Sequence, residues 1–539
     1  MTVLTMMAVV SVSCNKMLDT KVYSVVENDN YWKTPDQIKA GVAPAYNALR
    51  DLARYHALKM LNAVSSDEMI VPTRGGDWGA GGIYLQEWLH TWTPTHPDIN
   101  DLWGTIFSGI GNINFISSIV NGLPDKPESL DQINAELNTM RAYYYYLAMD
   151  DFGNVPIVKD FNTDPNTVTN SDRKDVYDFV ESELKTSINQ LPDNVDNSTY
   201  GRVTKWMAHC LLAKLYLNAQ VYTGTPQWKA CIAECDSIIN SGKYSLQPNY
   251  FDNFSVDNEG SVENIFVVPL DAIYTGGMEW QWFTLHYQNN INFQLSAGPW
   301  NGGCSTADYY YSNFDTTSVY EDKGNNTYRS YIDSRTGQWL VGQQFSVPYT
   351  YPPNKDVLVE SKDASLEIKD VATGLPLSFN PEVPLVSDPS AAFRLAGARN
   401  IKYFPEANAP SQSNDWVVFR LADIMLMKAE AELRSGGDLA DALNLVNMIR
   451  ERAYGDASHD WKSPDLTLDN ILAERARELS WEGYRRQDLI RYEVASGKPY
   501  FAAARKPGKT VDPDDHYRIF PIPEAKIEAN PKLKQNPGY

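Results

Sequence analysis

Apolar residues recur at helical spacing through both ends of the chain and lose that rhythm in the middle. Residues 34–56 read TPDQIKAGVAPAYNALRDLARYH, with Thr34 placed to cap a helix and Pro35 at its first position. Pro44 within this stretch has no amide proton to donate and should kink or interrupt the helix. Further helices are predicted over 98–121, 128–150, 172–191 and 202–222, and Thr225-Pro226 repeats the cap-plus-proline start for a helix reaching about residue 240. Near the C-terminus, Leu421, Ile424, Met425, Ala429 and Leu433 fall on one helical face. Gly436-Gly437 ends that helix, Asp438 caps the next, which carries Leu439, Leu443, Val446 and Ile449, and a last pattern covers 468–482.

Two of the helix pairs share a rhythm. LLAKLYLNAQVYTG with the 226–240 helix parallels IMLMKAEAELRSGG with the 438–452 helix. Each places small residues (Ala213 and Ala219; Ala429 and Ala431) where helices approach closely, then a glycine turn, then a second helix. That is the logic of tetratricopeptide-like hairpins, which bury their faces by stacking on neighbours. Between about 243 and 400 the texture changes: Gly, Asn, Pro and Tyr become frequent, and short apolar runs such as Ile265-Phe266-Val267-Val268 read as strands. The predicted fold class is mostly α, a helical-hairpin scaffold with a large irregular lobe containing short strands.

The 539 residues suffice for several average domains or one large one, and need no disulfide or metal to complete a core. With 47 Lys and Arg against 68 Asp and Glu the net charge is −21, which repels polyanions and argues against nucleic acid as a partner. Aromatic residues make up 12% of the chain, too many large rings for a disordered protein. Beyond the first residues no apolar run is long enough to span a bilayer.

Residues 2–13, TVLTMMAVVSVS, are uncharged and mostly apolar or small, and they end at Cys14. The pattern fits an export signal followed by a lipid-accepting cysteine. It departs from that pattern in lacking a preceding Lys or Arg and in placing Ser11 where Leu is commonest. A mis-assigned start codon would account for the missing charge; the other reading is a frayed terminus with an incidental cysteine. Cys231 and Cys235 lie four apart on one helical face, and no further residues at zinc-site spacing accompany them. Core packing is expected, with a disulfide from Cys210 to either one left open; Cys304 stands alone.

Signatures of catalysis are missing: no G-x-S-x-G elbow, H-E-x-x-H, phosphate loop or dinucleotide fingerprint occurs. The seven histidines are scattered, His90 and His96 being six apart in a Trp- and Pro-rich segment, and they read as packing residues rather than ligands. Carboxylate pairs such as Asp67 and Glu68 mean little among so many acidic residues. No catalytic residue, metal or cofactor is expected.

A mixture of aromatic and amide side chains is more informative. Residues 274–311 hold ten aromatics, among them Trp280, Trp282, Tyr287, Trp300 and Tyr309, interleaved with residues such as Gln288, Asn289 and Asn292. A sugar ring has an apolar C–H face and a fringe of hydroxyls. An indole or phenol buries that face for roughly 25 cal/mol per Å² removed from water. Amide, carboxylate and guanidinium groups satisfy hydroxyls that would otherwise cost about 1–3 kcal/mol each. The glycine-rich segment 74–92, RGGDWGAGGIYLQEWLHTW, repeats the recipe with three Trp and the flanking Arg74 and Asp77. For any single ring core filling is the preferred reading; for at least some Trp in these two segments, ligand contact is expected.

Several stretches taken together resemble the SusD/RagB family of Bacteroidota outer-membrane lipoproteins. They are CNKMLDT from Cys14, the Tyr31-Trp32-Lys33 segment, RAYYYYLAMDDFGNVPIV at 141–158, NDWVVFRLADIMLMKAEAELRSGG at 414–437, ERARELSWEGYRRQDLIR at 474–491 and FPIPEAKIEANPKLKQNPGY at 520–539. They occur in the family's order and span almost the whole chain. The resemblance implies a signal over 1–13 and a lipid on Cys14. The mature chain would be one integrated domain: a helical part over 14–242 with the ligand loop 74–92, an irregular ligand lobe over 243–400, and a helical part over 401–539. It implies a non-catalytic, surface-exposed protein of the outer membrane that captures a glycan. The protein would deliver it, as a hinged lid, to a TonB-dependent SusC-like barrel docked on the helical repeat face. Peptide import is the alternative, since some relatives serve it, and a surface glycoside hydrolase is a remote third. Expected stacking residues are Trp78, Trp280, Trp282, Trp300 and Tyr309, and expected polar contacts are Arg74, Asp77 and Asn289. Arg477, Glu478, Arg485, Arg486 and Asp488 of the C-terminal motif are expected to hold the fold.

Overall fold

The computed structural model describes residues 31–56, 58–351, 357–383, 391–504 and 506–539; the signal segment 1–13 and Cys14 lie outside the described residues. Thr34 caps the helix Pro35–Val42 by accepting from the Gln37 amide, while the Gln37 side chain returns to the Thr34 amide. Pro44 then interrupts: the chain passes through a 3-10 turn, Ala43–Tyr46, before helix resumes over Asn47–Leu52.

The scaffold is carried by longer helices: α1 (Pro97–Gly122), α2 (Leu130–Phe152), α3 (Arg173–Ser187), α4 (Lys205–Leu217), α5 (Trp228–Ile239), α6 (Leu421–Ser435), α7 (Leu439–Tyr454), α8 (Leu468–Leu479) and α9 (Arg485–Ser496). α5 begins at Trp228 behind Gln227, later than the Thr225-Pro226 start that the sequence predicts. Most of α2 is buried, Tyr143 to Tyr146 included, and α1 presents Gly109 to it: a Cβ there would lie 2.6 Å from the Tyr144 ring.

The two hairpins legible in the sequence are α4–α5 and α6–α7, and they stack through α5 against α6, a tetratricopeptide-like arrangement. Gly436, at φ 66°, closes α6 in the left-handed conformation, and Asp438 caps α7 by accepting from the amides of Ala440 and Asp441. Lys428 of α6 pins three helices together, reaching Asp236 on α5 at 2.5 Å and Asp441 on α7 at 2.7 Å.

The strand Trp416–Arg420 pairs antiparallel with Asn264–Val268 and delivers Arg420 into a buried ion network with Glu263, Glu478 and Glu482. Arg335 joins the network through Asp333, Glu474 and Glu478, and Arg475 bridges Asp423 on α6 to Asp488 on α9. Removing one partner here would strand a buried charge, so the expected fold-holding role of the C-terminal motif has a direct physical basis. Arg485 pairs with Asp67, Arg486 with Asp151 and Arg477 with Glu474.

Cys210, Cys231, Cys235 and Cys304 are buried free thiols. Between the helical parts, 3-10 turns alternate with short strands; the largest sheet is the antiparallel set Ser318–Lys323, Asn326–Tyr331 and Val357–Ser361. A satellite core of Trp282, Leu285, Phe293, Leu340 and Phe379 supports this lobe. Among the described residues no helix is long and apolar enough to cross a membrane.

A candidate ligand-binding platform

The segment after the helix Leu58–Ser65 makes a tight hairpin: Arg74 and Asp77 exchange backbone hydrogen bonds at 2.8 and 3.2 Å across Gly75-Gly76, with Gly75 at φ 67°. Trp78 follows at φ 59°, a conformation rare for a bulky residue. Its indole N–H donates to the Trp300 carbonyl at 2.7 Å. Tyr55 stands between the two indoles, edge-on to Trp78 at 6.0 Å and to Trp300 at 5.2 Å, and stacks at 5.3 Å on the buried Phe283. Tyr55, Trp78 and Trp300 are each half-buried, so each offers part of a ring to solvent.

A polar rim adjoins these rings. The exposed Asp77 accepts from the Tyr287 hydroxyl, and Arg394 lies 3.9 Å from Asp77 and over the Tyr287 ring at 5.1 Å. Arg394 is itself held by Asp370 through two hydrogen bonds of 3.0 and 3.2 Å. Burial alone would raise the Asp370 carboxyl, but Arg394 and the neighbouring Thr373 outweigh it and hold it down at about 2. Burial, then the adjacent Asp77, pushes the Tyr287 hydroxyl up to about 12, so it stays a donor at neutral pH. Three half-buried rings beside a carboxylate, a phenol and a guanidinium form the combination a sugar demands.

Of the expected contact residues, Asp77, Trp78 and Trp300 come together here. Arg74, Trp280, Trp282, Asn289 and Tyr309 are buried. Four of them form a layer that fixes the platform from beneath. The Arg74 guanidinium donates to the carbonyls of Gly302, Phe393 and Ala396, tying the Asp77 hairpin to the chain beyond Trp300 and to the Arg394 segment. Trp280 donates to the Ala53 carbonyl at 3.1 Å, just before Tyr55. The Trp282 carbonyl accepts from the Trp300 amide, and Asn289 caps the turn Tyr287–Asn290 by accepting from His286. Tyr309 belongs elsewhere: its hydroxyl lies among Glu68, Ala476 and Ser480.

Sequence density explains the misplacement. The aromatic-rich stretch 274–311 had to fill the core beneath a lobe with little regular structure, so most of its rings went inward. Tyr55 and Arg394 were missed: Tyr55 is the last ring of the 34–56 helical pattern, away from both Trp-rich segments, and nothing local marks Arg394. Tyr287 stands inside the stretch, beside Gln288-Asn289, among larger indole neighbours that dominate its composition.

The family model described as the SusD family matches residues 391–539, and a second, described as starch-binding associating with outer membrane, matches residues 18–217. A SusD-like protein of Formosa agariphila is 24% identical, the alignment covering 98% of this chain and 97% of the relative. The starch-binding protein SusD of Bacteroides thetaiotaomicron is 26% identical over 83% of this chain and 80% of its own. Among solved structures, surface glycan-binding protein A of Bacteroides thetaiotaomicron in complex with laminarihexaose superposes with a TM-score of 0.68 at 19% identity, covering 94% of this chain and 100% of that one.

Proposed function

Because the chain belongs to the SusD/RagB family, we propose that it is a surface glycan-binding protein of the outer membrane and that Tyr55, Trp78 and Trp300 take hold of the saccharide. The observation that carries this reading is the meeting of three half-buried rings with the Asp77–Tyr287–Arg394 rim. The starch-binding and laminarihexaose-bound relatives support a glycan as the ligand class. In this reading the protein binds rather than cleaves, as its starch-binding relative does, and Asp77, the exposed carboxylate of the platform beside a phenol and a guanidinium, receives hydroxyls. In this reading Cys14 carries the lipid anchor, and the captured glycan passes to a SusC-like TonB-dependent barrel.

Affinity electrophoresis on a polysaccharide panel, run beside a peptide library, tests the proposal. Retardation by at least one polysaccharide is expected. Binding to peptides alone would establish the peptide-import reading instead, and release of sugar from a bound polysaccharide would overturn the non-catalytic one.

A further inference from the structure

A cavity of about 590 Å³ shares none of the platform's residues. Between the two runs a column of rings, Phe283, Trp280, Trp481 and Trp339, with successive centroids 5.7, 5.9 and 6.1 Å apart, and Trp339 meets Tyr309 at 6.3 Å. Tyr309 lines the cavity, which is where this expected sugar-stacking residue actually stands.

The cavity's chemistry is graded. At its base Arg485 grips Asp67 through two hydrogen bonds of 2.7 and 2.8 Å, with the Tyr309 ring 5.9 Å from the guanidinium. A carboxylate has about four acceptor positions, and this grip uses two. Leu472, Leu489, Ala473, Ala503 and Ala504 supply apolar wall. At the mouth stand Asp308, Asp469, Lys498 and the half-buried Tyr500, whose hydroxyl donates to Asp469. The volume falls in the range of small-ligand sites, about 300–1,000 Å³. Carboxylates and cations nearly balance, so no single charge selects the ligand. A paired carboxylate and guanidinium side by side present acceptor and donor together, the complement of neighbouring hydroxyls, while the aliphatic wall suits a C–H face.

We propose that this cavity is a second carbohydrate-binding site, taking a short saccharide or the end of a chain whose body lies elsewhere. The proposal rests on the glycan-binding reading of the platform and is tested separately from it. Oligosaccharides that score on a glycan array are titrated by calorimetry into the wild type, the platform variant Trp78→Ala/Trp300→Ala, the cavity-filling variant Ala503→Trp and the mouth variant Tyr500→Ala. The expected result is two saccharides per chain. The platform variant retains one, Ala503→Trp loses the other, and Tyr500→Ala weakens that other site at least ten-fold, so the result does not hang on one variant folding. A single saccharide per chain, lost in the cavity variants and kept in the platform variant, would also support the cavity. One per chain, abolished in the platform variant and unaffected by Ala503→Trp and Tyr500→Ala, overturns the second site and leaves the first. No saccharide bound by the wild type overturns both.

Discussion

The Trp78 indole and the Trp300 carbonyl, 222 residues apart in sequence, are joined by a hydrogen bond of 2.7 Å. One ring is thus fixed by the backbone that carries the other, and their relative position is set before any ligand arrives. Preorganised rings lose little freedom on binding, which is how a shallow platform can hold a flexible chain.

Trp300→Ala is expected to weaken saccharide binding by about 10–150-fold, from the roughly 1.5–3 kcal/mol of an aromatic ring burying an apolar face. Its effect on the unfolding midpoint should be smaller than that of a fully buried Trp, since the ring is only partly buried against the two core clusters. Calorimetry and thermal melts on one preparation check both.

Trp280→Ala should behave in the opposite way. The ring is 3% exposed and packs on Phe283 and Trp481. Its loss should cost about 3–5 kcal/mol of stability, read from a denaturant titration. Intact stability with abolished binding would place Trp280 in contact with ligand after all.

Gly302 tests the layer under the platform. A Cβ there would lie 2.7 Å from the Phe283 ring, on which Tyr55 stacks. Gly302→Ala should therefore destabilise by about 1–3 kcal/mol and lower affinity with no ligand contact removed. A crystal structure should show Phe283 and Tyr55 displaced.

These contrasts also show how far the sequence could be read. Helical periodicity and glycine or proline punctuation mark the hairpins, because a repeat buried on both sides writes its core at fixed spacing, as at Ala429, Leu433 and Gly436. The motif charges were legible because charges in a helical motif need partners: Arg477 meets Glu474, Arg485 meets Asp67, Arg486 meets Asp151 and Asp488 meets Arg475. The platform was only half legible. Trp78 and Trp300 announce themselves by composition, but whether a ring faces in or out depends on packing between segments far apart in sequence. Trp280 and Trp300 look alike as letters and differ through the Ala53 carbonyl that one of them meets.

Acid should unfold the protein through its ion network. Burial opposes ionisation of Glu430, but Arg491 and Arg434 more than offset it and hold the carboxyl at about 2. Arginines likewise hold Glu474, Glu478 and Asp488 well below the carboxylate range against burial. Depressed folded values contribute stability that is complete above about pH 4.5, the unfolded range, and is lost as pH falls towards 2. Urea midpoints should decline over that window, and Glu430→Gln should be less stable at pH 7 with a deficit that narrows towards pH 2.

Glu68 should pull the other way. Burial raises its carboxyl to about 7, the Trp481 amide only partly relieving it. A raised carboxyl binds its proton more tightly when folded, so the protonated form favours folding and ionisation costs stability as pH rises from about 4.5 through 7. Glu68→Gln should remove that cost, and its stability relative to wild type should increase between pH 5 and pH 8.

The central claim is that Trp78 and Trp300 form the saccharide-binding surface, and a crystal structure with an array-selected oligosaccharide bound tests it most directly. The account predicts sugar rings lying within about 4.0–4.5 Å of the Trp78 and Trp300 side chains, with hydroxyls meeting Asp77, Tyr287 or Arg394. Saccharide bound at other surfaces only, with both indoles left bare, would contradict it.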